Sequence, residues 1–174
     1  NDTSLLYPYM KGNRKVTFVT EGFLFPDTYL IGKDATAADV VTMMLKNFDR
    51  HLTDGIRQQI GERNMSIYQF VTLASLIEKE AKYAEDRPLI ASVFLNRLSR
   101  HMKLQSDASI SYAMGTHKAA YSISETEYDS PYNTYRYEGL PPGPIANPGM
   151  DCMKAIIDAP NTSYLYFVAD KDGH

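Results

Sequence analysis

The stretch FVTLASLIEKEAKYAEDRPLIASVFLNRLSRHMKLQ, Phe70 to Gln105, decides how this chain is read. Its apolar spacing predicts two consecutive amphipathic helices, over about 67–82 and 85–100. Ser66 suits the N-cap of the first, and Pro88 sits early in the second, where proline is tolerated. At about 100° per residue, Glu80 projects between Leu73 and Leu76, with Ile77 close by. That is the apolar side. Glu78 falls beside Ala74 and Val71, nearer the edge, and Lys79 points to the polar side. A carboxyl aimed at an apolar face is costly to ionise and holds its proton to higher pH. General-acid chemistry needs such a group. The plainer reading of Glu80 is a helix-end residue that snorkels to water or pairs with Arg87 or Arg97.

Outward from this hairpin, residues 1–14 read as an irregular lead-in, and the alternating KVTFVT (15–20) reads as a strand. Glu21–Gly22 and Phe25–Asp27 form a turn-rich loop. A helix is expected over 37–51, with Val40, Val41, Met44, Leu45 and Phe48 on one face, then a break at Thr53–Gly55 and a short helix over 55–62. A further short helix is expected at 108–114, with Asp107 as its N-cap and Gly115 as its stop. A helical turn is expected at 124–128. LPPGPIANPG, 140–149, holds four of the nine prolines and predicts a stiff surface loop. Asn147 then caps a last helix that has Pro148 at its first position and ends near 159. YLYFVA, 164–169, reads as a strand, and Lys171–Gly173 as a turn opening a hairpin. The expected fold class is therefore α+β: a helix-rich domain with a small β-sheet or hairpin and a long Tyr/Pro-rich loop lining a groove.

With 174 residues the chain can bury a full core as one domain. A net charge of −3 without a basic run argues against nucleic acid as the main partner. Cys152 is the single cysteine, which excludes an intrachain disulfide and a cysteine-based metal site. His51, His101, His117 and His174 show no ligand-like spacing, so neither metal nor cofactor is expected. The longest apolar run, Leu89–Leu95, is too short to span a membrane. The chain begins with Asn1, which reads as a fragment whose upstream signal or anchor has been removed.

Beyond Glu80, two clusters can carry chemistry. Gln105, Ser106 and Asp107 follow the helix hairpin, where they can bind a ligand or simply cap and turn the chain. Asn133, Tyr135 and Tyr137 share a loop with Tyr128 and Tyr132. Amides and rings interleaved in this way suit carbohydrate, although ordinary loop packing uses the same residues. Ser75 has no His or Lys placed to activate it, so it is expected to bond a backbone carbonyl or orient a neighbour.

Six ordered blocks, EGFLFPDTY (21–29), LASLIEKE (73–80), RPLIASVFLNRL (87–98), MKLQSDASISYAMG (102–115), YNTYRYEGLPPGPIANPG (132–149) and YLYFVADKDGH (164–174), resemble the catalytic domain of the endolytic murein transglycosylases of the YceG-like family. The resemblance implies a catalytic domain over 15–174, with 1–14 as a remnant. It also implies a membrane anchor and a LysM-like module N-terminal to this chain and an extracytoplasmic, bacterial location. Peptidoglycan glycan strands would be the substrate, with cell-wall synthesis or division proteins as further partners. In the family pattern, Glu80 is the catalytic glutamate, and Gln105, Ser106, Asp107, Asn133 and Tyr135 fall in blocks that line the glycan groove. The implied reaction is non-hydrolytic: Glu80 acts as acid and then base while the muramic acid C6 hydroxyl closes on C1. Two alternatives stand beside it. One is a muramidase-type hydrolase using Glu80 with Asp107, Glu21 being the only other carboxylate worth nominating for that second role. The other is a non-catalytic glycan-binding or divisome scaffold module.

Overall fold

Side-chain oxygens start the first three helices by accepting N–H groups that lack an intrahelical partner. Thr36 and Asp39 form a capping box that opens α1, Ala37–His51. Thr53 accepts from the Ile56 N–H and opens α2, Asp54–Glu62. Ser66 and Gln69 form a second capping box that opens α3, Ile67–Glu80. The remaining helices are α4, Arg87–Ser99; α5, Asp107–Met114; α6, Ile123–Thr126; and α7, Met150–Ile157. This computed structural model describes residues 6–11, 16, 18–118 and 120–168.

α3 organises the core. Every residue from Phe70 to Ile77 is buried, so the helix is covered on all sides rather than along one stripe. It packs against α7, α4, α5, α2 and a 3-10 turn at Pro8–Met10. Its interior polar groups are satisfied locally: Thr72 Oγ1 donates to the Tyr68 carbonyl and Ser75 Oγ to the Thr72 carbonyl, at 2.8 and 2.7 Å. Ala81 leaves helical geometry at ψ 114°, which makes Glu80 the last helical residue.

Among the described residues there is no strand, so the expected α+β class and its small sheet or hairpin are not what forms. The described part of KVTFVT turns instead of extending: Glu21 N donates to Phe18 O at 3.3 Å and Phe23 N to Thr20 O at 3.1 Å. Lys15 and Thr17 lie outside the described residues. Among the described residues the YLYFV part (164–168) has no ladder partner, and α4 side chains take two of its carbonyls. Asn96 Nδ2 donates to Tyr164 O at 2.9 Å, and Arg97 Nε donates to Leu165 O at 2.6 Å. Ala169 and the expected turn at 171–173 also lie outside the described residues.

The proline-rich segment is another correction. It is an internal strap rather than a surface loop, with Pro141, Gly143, Pro144, Ile145 and Pro148 buried. Ile145 N donates to Ser75 Oγ at 3.0 Å, which ties the strap to α3. Asn147 does not cap α7. Its Oδ1 accepts from Gly22 N and Leu24 N at 2.8 and 3.1 Å, and Gly149 is the N-cap. Gly22 is required where the strap crosses: its φ is +90°, and a Cβ there would lie 2.4 Å from Pro144 Cγ. Ser106, not Asp107, is the N-cap of α5, and Gly115 ends that helix at φ 64°.

Candidate active site

The capping box fixes where α3 begins and Ala81 fixes where it stops, so the Glu80 carboxyl emerges at the end of the most buried helix. There it meets the start of α5. Ser106 Oγ donates a short hydrogen bond to Glu80 Oε1, and Ala108 N donates to the same oxygen at 3.4 Å. Burial pushes the Glu80 carboxyl above the usual glutamate range. The Ser106 and Ala108 donors pull it back, and the neighbouring Asp107 charge adds to the rise. The α5 N-terminus also favours negative charge at this point. The carboxyl therefore combines burial, which favours its protonated form, with donors that stabilise the anion. Neither Arg87 nor Arg97 pairs with it: Arg87 approaches Asp151 at 3.5 Å, and Arg97 bonds carbonyls.

Glu78 points elsewhere. Its Oε2 accepts from Gly149 N at 3.0 Å, at the start of α7. It also bonds the buried Cys152 thiol, whose pKa is pushed up to about 12, first by burial and then by that carboxylate.

Ser106 is 2% exposed and locked in a hydroxyl cluster. Its N–H donates to Thr134 Oγ1 at 2.9 Å, and Ser109 Oγ lies 2.8 Å from that same oxygen. Asp107 Oδ1 accepts from Tyr135 Oη at 2.7 Å. Burial, followed by this carboxylate, raises the Tyr135 phenol. Asn133 is fully buried and its amide is used internally. It donates to Thr126 O and Tyr128 O at 2.9 and 2.8 Å and accepts from Tyr135 N at 2.9 Å. Gln105 is exposed at φ 52°, with its N–H on Thr134 O at 3.1 Å. So the fold gathers Glu80, Ser106, Asp107 and Tyr135 into one chain of contacts. Gln105 stands beside it, and Asn133 lies beneath it. Glu21 instead accepts from Tyr112 Oη at 2.5 Å.

Cavities flank Glu80 on two sides. One, of about 440 Å³, is bordered by Lys79, Asp107, Ser111, Tyr112, His117 and Ile145 among others. The other, of about 420 Å³, is bordered by Leu89, Ile90, Val93, Tyr164, Tyr166 and Phe167 among others. Glu80 lines both. A third hollow, of about 600 Å³, holds Gln105 and Tyr135. Among the described residues no three His, Cys, Asp or Glu side chains gather as metal ligands, and no helix is long and apolar enough to cross a membrane.

Sequence reasoning missed Ser111, Tyr112 and Thr134. The α5 positions 107, 108, 111 and 112 share one helical face, a period that would have pointed to the first two. Thr134 carried no such signal. The sequence offers Arg97 as a face residue of the second helix and a possible partner of Glu80. Arg97 is buried, donates to the Lys103 and Leu104 carbonyls at 3.3 and 2.8 Å, and lies 4.8 Å from the Tyr166 ring centroid.

The profile of the YceG-like family matches residues 4–174. An endolytic murein transglycosylase of Bacillus subtilis (strain 168) is 41% identical over 162 residues, which is 92% of this chain and 45% of that protein. An endolytic murein transglycosylase of Streptococcus pneumoniae serotype 2 is 42% identical over 155 residues, 86% of this chain and 28% of its own length. A crystal structure of a yceG-like protein from Listeria monocytogenes superposes with a TM-score of 0.85 at 42% identity, covering 91% of this chain and 52% of that one. The chain thus spans less than half the length of the curated relatives it matches.

Proposed function

The chain belongs to the YceG-like family, and from that membership and the Glu80 site we propose that it cleaves peptidoglycan glycan strands as an endolytic lytic transglycosylase. The observation that carries this reading is the double character of the Glu80 surroundings. Burial favours the protonated form of its carboxyl, while Ser106 Oγ and Ala108 N stabilise the anion.

In the proposed reaction, Glu80 gives its proton to the oxygen joining muramic acid C1 to the next N-acetylglucosamine. The C1–O bond breaks and positive charge develops at C1. The muramic acid C6 oxygen then bonds to C1, and its hydroxyl proton passes to ionised Glu80. The products are a 1,6-anhydromuramyl end and a free N-acetylglucosamine 4-hydroxyl, with Glu80 reprotonated. One carboxyl acts in both directions, so no second carboxylate is required. Asp107 and Tyr135 would hold substrate hydroxyl or N-acetyl groups, with Gln105 further along the groove. Asn133 contributes by fixing the loop that carries Tyr135.

A muramidase reading draws support from Asp107, which lines the same cavity as Glu80. Hydrolysis by that route usually places two carboxyls about 5–9.5 Å apart. The Asp107 carboxylate is already bonded to Tyr135, which favours a binding role over a nucleophilic one. Mass spectrometry of digested strands separates the two. The transglycosylase reading expects muropeptide ends one water lighter than reducing ends, and reducing ends alone would overturn it.

Peptidoglycan lies outside the cytoplasmic membrane, so the proposed place of action is extracytoplasmic. On the same reading the domain works beside a membrane anchor and a LysM-like module, with cell-wall synthesis or division proteins as partners.

A further inference from the structure

The two cavities that meet at Glu80 differ in chemistry. The one towards Tyr164–Phe167 offers mainly aromatic and aliphatic surface, with Lys82 and Asp86 also lining it, which suits the flat faces of sugar rings. The one towards α5 has a basic rim made by Lys79, His117 and Lys118. Lys118 is committed to Glu125 through a short ion pair. Lys79 is exposed, and among the described residues it pairs with no carboxylate. His117 is also exposed and lines the same cavity. Deeper in this cavity sit the carboxyls of Glu80 and Asp107. An anionic ligand entering there meets the cations at the mouth before the Asp107 carboxylate.

Every sugar in a glycan strand has ring faces and hydroxyls. Only the muramyl residues bear a lactyl ether extended by a stem peptide, and that peptide carries carboxylates. We propose that Lys79 and His117 bind a stem-peptide carboxylate, so that the site favours peptide-bearing strands over strands stripped of peptide. This deepens the transglycosylase reading and rests on it. Helix geometry allows both roles side by side. Consecutive residues diverge by about 100°, so Lys79 reaches the rim while Glu80 stays at the junction. Lys79 also lies in the last turn of α3, where a cation complements the helix carbonyls. That role changes helix stability a little and leaves substrate preference alone.

The test compares kcat/KM on three substrates: uncross-linked peptide-bearing strands, the same strands stripped by an N-acetylmuramoyl-L-alanine amidase, and peptide-bearing strands whose carboxylates are converted to amides. The ratio of peptide-bearing to stripped should exceed one in the parent. It should fall about fivefold in Lys79→Ala, the upper end for an exposed ion pair. It should fall in His117→Ala as well and largely return in Lys79→Arg. Amidated strands should behave like stripped ones. A ratio unchanged in Lys79→Ala, or unchanged by amidation, overturns the proposal. A parent that cleaves none of the three strikes the transglycosylase reading instead.

Discussion

Glu78 and Glu80 stand two residues apart on α3, and each reaches the N-terminal end of a different helix. Glu78 accepts from Gly149 N at the start of α7, and Glu80 accepts from Ala108 N at the start of α5. Two positions along a helix are about 200° apart, so the carboxyls separate to opposite sides. Glu78 meets packed protein and ties two helices together. Glu80 meets two cavities.

Ser106→Ala should shift the pH dependence. The Ser106 hydroxyl stabilises ionised Glu80, so its loss leaves burial less opposed and moves the Glu80 pKa further up. The rate falls as Glu80 loses its proton. The alkaline limb of kcat/KM should therefore move to higher pH in the variant, while kcat drops by up to about a hundredfold from the lost donor. A limb that moves to lower pH would contradict this assignment.

Stability should respond to the same carboxyl. Its folded-state pKa is raised above the unfolded one, so its contribution is fully present below the unfolded value and is lost as pH rises through the folded value. Glu80→Gln is neutral throughout. Its Tm should exceed that of the parent in mildly alkaline buffer, and the gap should close in acid. A gap independent of pH would mean that Glu80 is not buried at a cost.

The strap depends on Ser75. Ser75→Ala leaves the buried Ile145 N–H without its acceptor, a loss of roughly 1–3 kcal/mol. Urea denaturation should show that drop. Because Ile145 borders the Glu80 cavity, kcat/KM should fall as well.

Gly22→Ala should be as damaging. The substitution adds a Cβ at φ +90°, 2.4 Å from Pro144 Cγ and 2.9 Å from Val71 Cγ1. Backbone strain of roughly 1–3 kcal/mol adds to the clash. A midpoint of urea unfolding close to that of the parent would show that the strap is free to move away.

Local features were readable in advance because their causes are local. The Ser66 cap and the 37–51 helix both follow from spacing within one segment. Features that depend on a distant partner were not readable. YLYFVA reads as a strand, but a ladder needs a neighbour, and Asn96 and Arg97 take two of its carbonyls instead. Four prolines suggest a stiff loop without saying what it lies against, and here Ser75 and Gly22 hold it inside. Gln105, Ser106, Asp107 and Tyr135 were singled out from a polar cluster and a family resemblance. The Ser106 contact to Glu80 appears only when α5 meets α3. Nothing in the polar character of Asn133 indicated that its amide would be spent entirely on its own loop.

In the proposed mechanism Glu80 carries the chemistry and its neighbour Glu78 does not. The direct measurement is kcat/KM for release of fragments from purified peptidoglycan by the parent, Glu80→Gln and Glu78→Gln, each checked for folding by circular dichroism. Glu80→Gln should lose roughly 10²–10⁴-fold, while Glu78→Gln keeps most of the activity. A folded Glu80→Gln protein that digests peptidoglycan within a few-fold of the parent would contradict the mechanism.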